Sequence, residues 1–410
     1  MGIGWWIWIV TLSLVAAVWV SRHVEISLAR RRHRPLAEDS YDGPPQPAPF
    51  VSFLIAAKDE EANIERAIRS VLSQDYPQFE LIVINDRSTD GTRAILERLA
   101  ADTAGVNRDG RLRVIHIEQL REGWFGKNNA MREGVSRAGG EWLCFSDADC
   151  AQISRRTLSL AMRHATENNI DFLSVLPILE TRGFWERVIQ PACGAVMVFW
   201  FHPKRVNDPR HSAAYANGAF MLMRRRTYDA IGGHDAVRTE VNEDMHMARL
   251  AKEQGHRLEV VQNDNLYSVR MYTSLRAIWH GWSRIFYGCF GTFSRLLITL
   301  RMLLIMNIFP VGSAMAAWVL VAARGWDAAG PWRAVAAAAT VAVVMQTTVI
   351  ARFYRLSRAN PWLAPTWIIG VVFCIGMLIN AMLKLGGRTT TTWRGTTYRG
   401  SRLASRTGKT

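Results

Sequence analysis

Asp147 and Asp149 stand one residue apart in Ser146-Asp147-Ala148-Asp149, directly after the apolar run Trp142–Phe145. Alternate residues at a strand end can aim both carboxylates, or one and a water, at a hard cation. Mg²⁺ and Mn²⁺ favour such oxygen ligands and keep vacancies for phosphate oxygens. A pair of acids at this spacing is often no more than a solvated turn. Here two other acidic loops precede it, each also following an apolar run: Ala56-Ala57-Lys58-Asp59-Glu60-Glu61 and Asn85-Asp86-Arg87-Ser88-Thr89-Asp90-Gly91-Thr92. Three such loops on one sheet edge ask for a cation, and Asp147 and Asp149 are its candidate ligands. Asp90 or Ser88 suffices to cap a helix starting near Thr92. Asp86 is then left to accept from a ribose hydroxyl or a base imide.

Asn242-Glu243-Asp244 opens a further helical stretch that stops at Gly255. Asn242 could simply cap it, with Glu243 and Asp244 complementing the helix dipole. Alternatively Asp244 is a general base, a carboxylate within hydrogen-bond reach of an acceptor hydroxyl. The residues alone leave both readings open. In Gly123-Trp124-Phe125-Gly126-Lys127-Asn128-Asn129 the glycines permit close backbone approach, and Lys127 near a helix start could meet a phosphate. The spacing is not that of a Walker A loop, which excludes a P-loop NTPase.

The elements that must position these residues alternate. Phe50–Ala56, Glu80–Ile84, Leu112–Ile117 and Trp142–Phe145 read as strands, while Glu60–Leu72, Thr92–Ala101 and Lys127–Arg137 carry helical periodicity. That alternation predicts an α/β fold with a largely parallel sheet covered by helices. Ligands of such sheets bind beyond the carboxyl ends of the strands, where the acidic loops fall.

Four stretches, Met1–Ser21, Met302–Ala323, Ala334–Ala351 and Ala359–Leu383, contain no charged side chain. About 20 helical residues cross a bilayer core, so these predict an uncleaved amino-terminal anchor and two or three carboxy-terminal crossings. Of the net charge of +15, eleven charges come from Arg22–Arg34 and from the tail starting at Lys384, and so flank membrane segments. This suits anionic headgroups, and no nucleic-acid motif accompanies it. The arginines after the anchor place that flank, and the domain behind it, in the cytoplasm of a multi-pass inner-membrane protein. Four crossings would put the basic tail on the other side, against the charge rule, unless one late segment is re-entrant. The five cysteines show no CxxC spacing and read as structural thiols in a reduced compartment. The expected organisation is an anchor (1–21), a basic and proline-rich linker (22–49), a catalytic domain (50–270), an aromatic interfacial segment (271–300), the crossings (301–386) and a basic tail (387–410). Val188–Phe201, too short to span, reads as a core or interfacial helix.

The run FLIAAKDEEANIERAIRSVLSQDYPQFELIVINDRSTDGT resembles the amino-terminal signature of family 2 glycosyltransferases, and GKNNA, SDAD and NEDMHMARLAKEQGHR follow in that family's order over about Phe50–Tyr287. The resemblance implies a GT-A, Rossmann-like mixed-sheet domain, a UDP-type sugar donor, a divalent metal (Mg²⁺ or Mn²⁺) and inversion at the anomeric carbon. It implies that Ala56, Glu60 and Asp86 hold the nucleoside, Asp147 sits beside the nucleotide, Asp149 binds the metal, and Asp244, with Glu243 beside it, is the base. GWFGK, FWERVIQP, RVNDPR and IGGHDAVR look most like hopanoid-associated and carotenoid glycosyltransferases, and TTTTWRGTTYRG is similar to ceramide glucosyltransferases. Where processive members carry QxxRW, this chain reads His280-Gly281-Trp282-Ser283-Arg284. Arg284 could still reach the diphosphate. The departure argues for one sugar placed on a lipid rather than a polymer. The alternatives are a polysaccharide synthase, a polyprenyl-phosphate glycosyltransferase, or an inactive membrane scaffold that kept the fold.

Overall fold

The computed structural model describes residues 2–32, 35–102, 104–107, 109–386, 391–393, 396–399 and 402–403. The basic tail expected over 387–410 lies largely outside them. The chain divides into two compact units. One comprises Arg34–Glu180, Val198–Met271 and Thr389–Thr410, and the other Met1–His33, Thr181–Met197 and Tyr272–Arg388.

In chain order, α1 (Ile3–Arg32) is followed by β1 (Val51–Ala57), α2 (Ile64–Leu72), β2 (Phe79–Asp86), α3 (Thr92–Ala101) and β3 (Leu112–Ile117). Next come α4 (Gly126–Val135), β4 (Trp142–Asp147), β5 (Cys150–Gln152), α5 (Thr157–Glu167), β6 (Phe172–Leu176) and β7 (Ile178–Leu179). Helix α6 (Phe184–Trp200) precedes β8 (Met221–Arg224), α7 (Glu243–Glu253), β9 (Leu258–Gln262) and β10 (Tyr267–Val269). The remainder is helical: α8 (Leu275–Phe290), α9 (Phe293–Leu303), α10 (Phe309–Arg324), α11 (Trp332–Leu356) and α12 (Trp367–Leu385).

The first unit is built on a seven-stranded sheet in the order β3-β2-β1-β4-β8-β6-β9. Its strands are apolar on both faces, as a sheet covered on both sides requires. Val51, Phe53, Ile55 and Ala57 of β1 enter one core, while Leu54 enters another on the opposite face. In β2, Leu81 and Val83 alternate with Ile82 and Ile84 in the same way. Helix α2 covers its face through Ile64, Ala67, Ile68 and Val71, the i, i+3, i+4, i+7 spacing of an apolar helical stripe. The sheet is mixed, as the resemblance implies: β8 runs antiparallel to both β4 and β6, and the other pairings are parallel. A short second sheet, β5-β10-β7, flanks it.

The second unit holds four helices long and apolar enough to cross a membrane: Ile3–Leu28, Phe293–Arg324, Trp332–Leu356 and Pro361–Leu385. One is amino-terminal and three are carboxy-terminal. Helix α1 continues through Arg32, so the first basic residues lengthen the anchor helix rather than begin a linker. Its outer face is exposed apolar surface, including Ile3, Trp6, Ile7, Val10 and Leu14, as suits contact with lipid. Several polar groups inside this unit are paired, as a water-free layer favours. Trp8 Nε1 donates to Ser313 Oγ (3.0 Å), and Trp19 Nε1 donates to the Met306 carbonyl (3.1 Å) in the π-helical turn Leu304–Ile308. Gln346 Nε2 and Trp367 Nε1 both donate to Asn307 Oδ1 at 2.9 Å. The segment Thr181–Met197, most of α6, belongs to this unit. Trp282, Phe286 and Phe290 of α8 turn inward.

Candidate active site

The register of the sheet brings the acidic loops to one edge. Ala56 pairs with Ile84 on one side and with Asp147 on the other, so β1, β2 and β4 end level. The loops after β1 and β2 are laced together. Thr89 N donates to Asp59 Oδ1 (2.7 Å), Gly91 N to Glu61 Oε2 (2.8 Å), and Glu60 N to Thr92 Oγ1 (2.8 Å). Asp90 Oδ1 accepts from Thr92 N (3.0 Å) and Thr92 Oγ1, which fixes the start of α3 and confirms that Asp86 is not needed there.

Asp86 is buried and held bidentately by Arg87, at 2.7 Å to Nε and 2.9 Å to Nη2. Gly126 makes room for this pair: a Cβ there would lie 2.5 Å from Asp86 Oδ2 and 3.0 Å from Arg87 Nη2.

Lys127, the second residue of α4, is the hinge of the site. Its Nζ lies 2.6 Å from Asp147 Oδ1 and 2.7 Å from Glu243 Oε1, joining the end of β4 to the start of α7. The start of α4 is pinned to the segment that leads into α7. Asn128 Nδ2 donates to the Val237 and Glu240 carbonyls at 2.7 and 2.9 Å, and Phe125 N donates to the Arg238 carbonyl at 2.8 Å. Burial alone would lower the Lys127 ammonium, but Asp147 and Glu243 outweigh it and hold it well above the ordinary lysine value. It stays charged at every physiological pH.

Asp244 follows at the first turn of α7. Its Oδ2 accepts from Gly218 N (2.9 Å) and its Oδ1 from Met245 N (2.7 Å). Burial, and then the negative charge of Glu243, push this carboxyl up to about 7, against the opposing pull of Lys127 and the two N–H donors. A carboxylate poised near neutral pH is suited to proton transfer. Gly218 is a contributor that sequence reading missed. A Cβ on it would sit 3.1 Å from Lys127 Nζ, 3.6 Å from Asp244 Oδ2 and 3.8 Å from Asp147 Oδ2, so this backbone lies against three members of the site at once. Asn-Gly before an apolar run reads as a turn, which hid that role.

Asp149 has the setting of a cation ligand. Burial, followed by the charges of Asp147 and Glu60, pushes it up to about 7. Crowded carboxylates of this kind fit a divalent ion, which would relieve their repulsion. Among the described residues no three acidic, histidine or cysteine side chains form a ready-made cage. Asp149 and Asp147 are the side chains that could offer oxygen atoms to such an ion.

Ala56, Glu60, Asp86, Lys127, Asp147, Asp149, Glu243 and Asp244 thus all belong to one compact unit. Arg284 belongs to the other, on α8, where its Nη2 lies 3.5 Å from Tyr272 Oη.

Residues 52–232 match the family model described as glycosyl transferase family 2. Over those residues the chain is similar to family 2 glycosyltransferases. The matched span runs from the second residue of β1 through β8 and takes in Ala56, Glu60, Asp86, Lys127, Asp147 and Asp149, but not Glu243, Asp244 or Arg284. Among curated proteins, the chain is similar to 4,4'-diaponeurosporenoate glycosyltransferase of Staphylococcus aureus (strain MRSA252), 24% identical over 238 residues, which is 57% of this chain and 60% of the relative. The chain therefore spans about three fifths of the length of the curated relatives it matches. Among solved structures it resembles the mannosyltransferase PcManGT from Pyrobaculum calidifontis in complex with GDP-Man and Mn²⁺, with 20% identity, a TM-score of 0.49, and coverage of 91% of this chain and 98% of that one. It also resembles S. aureus TarS 1–349 in complex with UDP-GlcNAc, with 14% identity, a TM-score of 0.38, and coverage of 87% and 97%.

Proposed function

We propose that this chain transfers a single sugar, with inversion, from a nucleotide sugar (a UDP-hexose is the first choice) to a hydroxyl group of a membrane lipid, on the cytoplasmic face of the membrane. The observation that carries the reading is the Asp147–Lys127–Glu243 bridge with Asp244 beside it, at the carboxyl edge of a domain similar to family 2 glycosyltransferases. The four apolar helices and the curated carotenoid relative support a lipid acceptor.

In this mechanism Asp86, held by Arg87, and the backbone at Ala56 receive the nucleoside, with Glu60 beside them. Asp244 takes the acceptor's proton on the oxygen not engaged by Gly218. The acceptor oxygen then forms its bond to the anomeric carbon as the bond to the diphosphate breaks. Lys127 keeps Asp147 and Glu243 in place while negative charge gathers on the leaving group. A divalent cation held by Asp149, with Asp147 beside it, would supply charge to offset the departing diphosphate.

The direct test incubates membranes containing the chain with labelled UDP- and GDP-sugars and extracts the lipid. Labelled glycolipid supports the reading. Labelled polymer favours a polysaccharide synthase, a labelled lipid phosphate favours a polyprenyl-phosphate enzyme, and no transfer of any label overturns it. Chelation by EDTA is expected to abolish transfer, and added Mn²⁺ or Mg²⁺ to restore it. Full activity in EDTA would remove the metal from the mechanism. Gly126→Ala is expected to raise the donor KM tenfold or more with little change in kcat, because displacing Asp86 by about an ångström misplaces the nucleoside. An unchanged KM would release Asp86 from that role.

A further inference from the structure

Three of the four apolar helices form one bundle with two distinct ends. Helix α11 runs with α1. The Trp5 and Trp332 rings meet at 4.8 Å near the start of both helices. Farther along, Arg352 Nη1 and Nη2 donate to the His23 carbonyl and to Ser27 Oγ, each at 2.8 Å. Helix α10 runs against them: Trp318 Nε1 donates to Thr340 Oγ1 (2.9 Å), whereas Asn307, which precedes α10, accepts from Gln346 farther along α11. The end marked by Arg352 also carries Arg355 and Arg358, and from there α1 leads on to the sheet. The other end holds Asp327, in the turn between α10 and α11.

Helix α12 departs from this pattern. Trp367, its first residue, donates through Nε1 to the same Asn307 Oδ1 (2.9 Å), with its ring 6.2 Å from that of Tyr354. From there α12 packs on α9, the helix on the far side of Asn307 from α10, and on α6 and α8. A Cβ at Gly370 would run into the Val188 carbonyl and stand 3.0 Å from the Ala192 Cβ, and Cys374 Sγ lies 3.3 Å from Cys193 Sγ. A Cβ at Gly376 would stand 2.6 Å from Trp279 Cη2. Helix α6 cannot cross a bilayer. It stands between β7 and β8, both strands of the first unit. The stretch after it holds Lys204, Arg205, Asp208 and Arg210, too costly a set for a returning span. Helix α12 is therefore fastened to a helix that stays on one side. From Cys374 to Leu385 only about 16 Å of helix remains, roughly half of a hydrocarbon core about 30 Å thick.

We infer that α12 is not a fourth crossing. It dips into the membrane and returns within the leaflet at the Arg352 end, so the tail beyond it emerges on the side to which α1 leads. Ile369, Val372, Ile379 and Leu383 form one exposed stripe along α12, and the acyl chains of that leaflet are its partner. This placement gathers the seven basic residues from Lys384 onward on the same side as Arg22, Arg30, Arg31 and Arg32. The charge rule favours that arrangement, and four crossings would break it. The inference concerns topology alone and does not rest on sugar transfer.

The test uses the full-length chain in bacterial membranes, as spheroplasts and as inverted vesicles, with a membrane-impermeant maleimide and the wild type as background. Asp327→Cys and Arg355→Cys mark the two ends of the bundle, and Ser405→Cys reports the tail. Ser405→Cys is expected to label in the same preparation as Arg355→Cys and not in the one that labels Asp327→Cys. Labelling of the tail from the Asp327 side, alone or together with the other, would overturn the inference. A protease site and a purification tag added after Thr410 give the same reading without thiol chemistry. Cleavage only from the Arg355 side is expected, and cleavage from the Asp327 side would overturn the inference even if a cysteine variant failed to fold or to label.

Discussion

Asp244→Asn is expected to lower sugar transfer about a thousandfold while leaving donor affinity within a fewfold of the wild type, because general base catalysis contributes between about a hundredfold and ten-thousandfold. The amide keeps the shape and can still accept from Gly218 N, so the 2.9 Å contact that seats it survives. What it loses is the capacity to take a proton. In the wild type, kcat/KM is expected to climb about tenfold per pH unit from acid and to level off near pH 7, where the Asp244 carboxyl becomes ionised. Stability should move the other way. A carboxyl whose folded value is raised keeps its proton in the folded chain above the pH at which the unfolded chain releases it. The stabilising contribution is complete below about pH 4 and is lost as pH rises through about 7; Asp149, also raised to about 7, adds in the same direction. A variant with wild-type turnover would show that another group accepts the proton. A flat pH profile would deny Asp244 its ionisation step.

Lys127→Met carries the second large effect. The side chain keeps its length but leaves Asp147 and Glu243 facing each other without their shared cation. Removing one partner from a buried ion pair commonly costs 3–5 kcal/mol. Here about a third of the lysine side chain is exposed, so solvent screening reduces the expected loss to about 2 kcal/mol. Activity should fall further than stability does, and the rising limb of the pH profile should move toward alkaline pH, because the Lys127 charge is what restrains the Asp244 carboxyl from rising further. Lys127→Arg should keep the limb near its original place. A Lys127→Met enzyme with an unshifted limb would separate Lys127 from Asp244.

Much of this site can be read from the chain. The runs that become β1, β2 and β4 are apolar on both faces, and the polar clusters after them fall where such strands must end. Helices α2 and α3 are visible because their apolar residues recur at helical spacing and because Asp90 and Thr92 mark a start. What cannot be read lies across long separations. Met221–Met223 is too short an apolar run to reveal that β8 is antiparallel to β4. Lys127 stands at a helix start and reads as a phosphate contact. Its two carboxylate partners, 20 and 116 residues away, are brought to it by the sheet and by the anchoring of Asn128, not by any local pattern. Gly218 is in the same position: nothing about an Asn-Gly turn announces that its N–H will seat a carboxylate.

The reversal of β8 has an effect on how this domain can change over time. Strands that run with the sheet deliver their trailing ends to the chemistry, so altering those loops alters the passage into the next helix. β8 delivers its leading end instead, with Gly218 and Ala219 beside Ser146 and Asp244. In the stretch 201–217 before it, Asn207 is fixed to the Val260 backbone of β9 at 3.0 and 2.8 Å, while changes nearer Gly218 arrive at the rim beside the proposed base. Diversity in what the enzyme accepts can therefore accumulate in one tether, while the framework that handles the donor stays fixed.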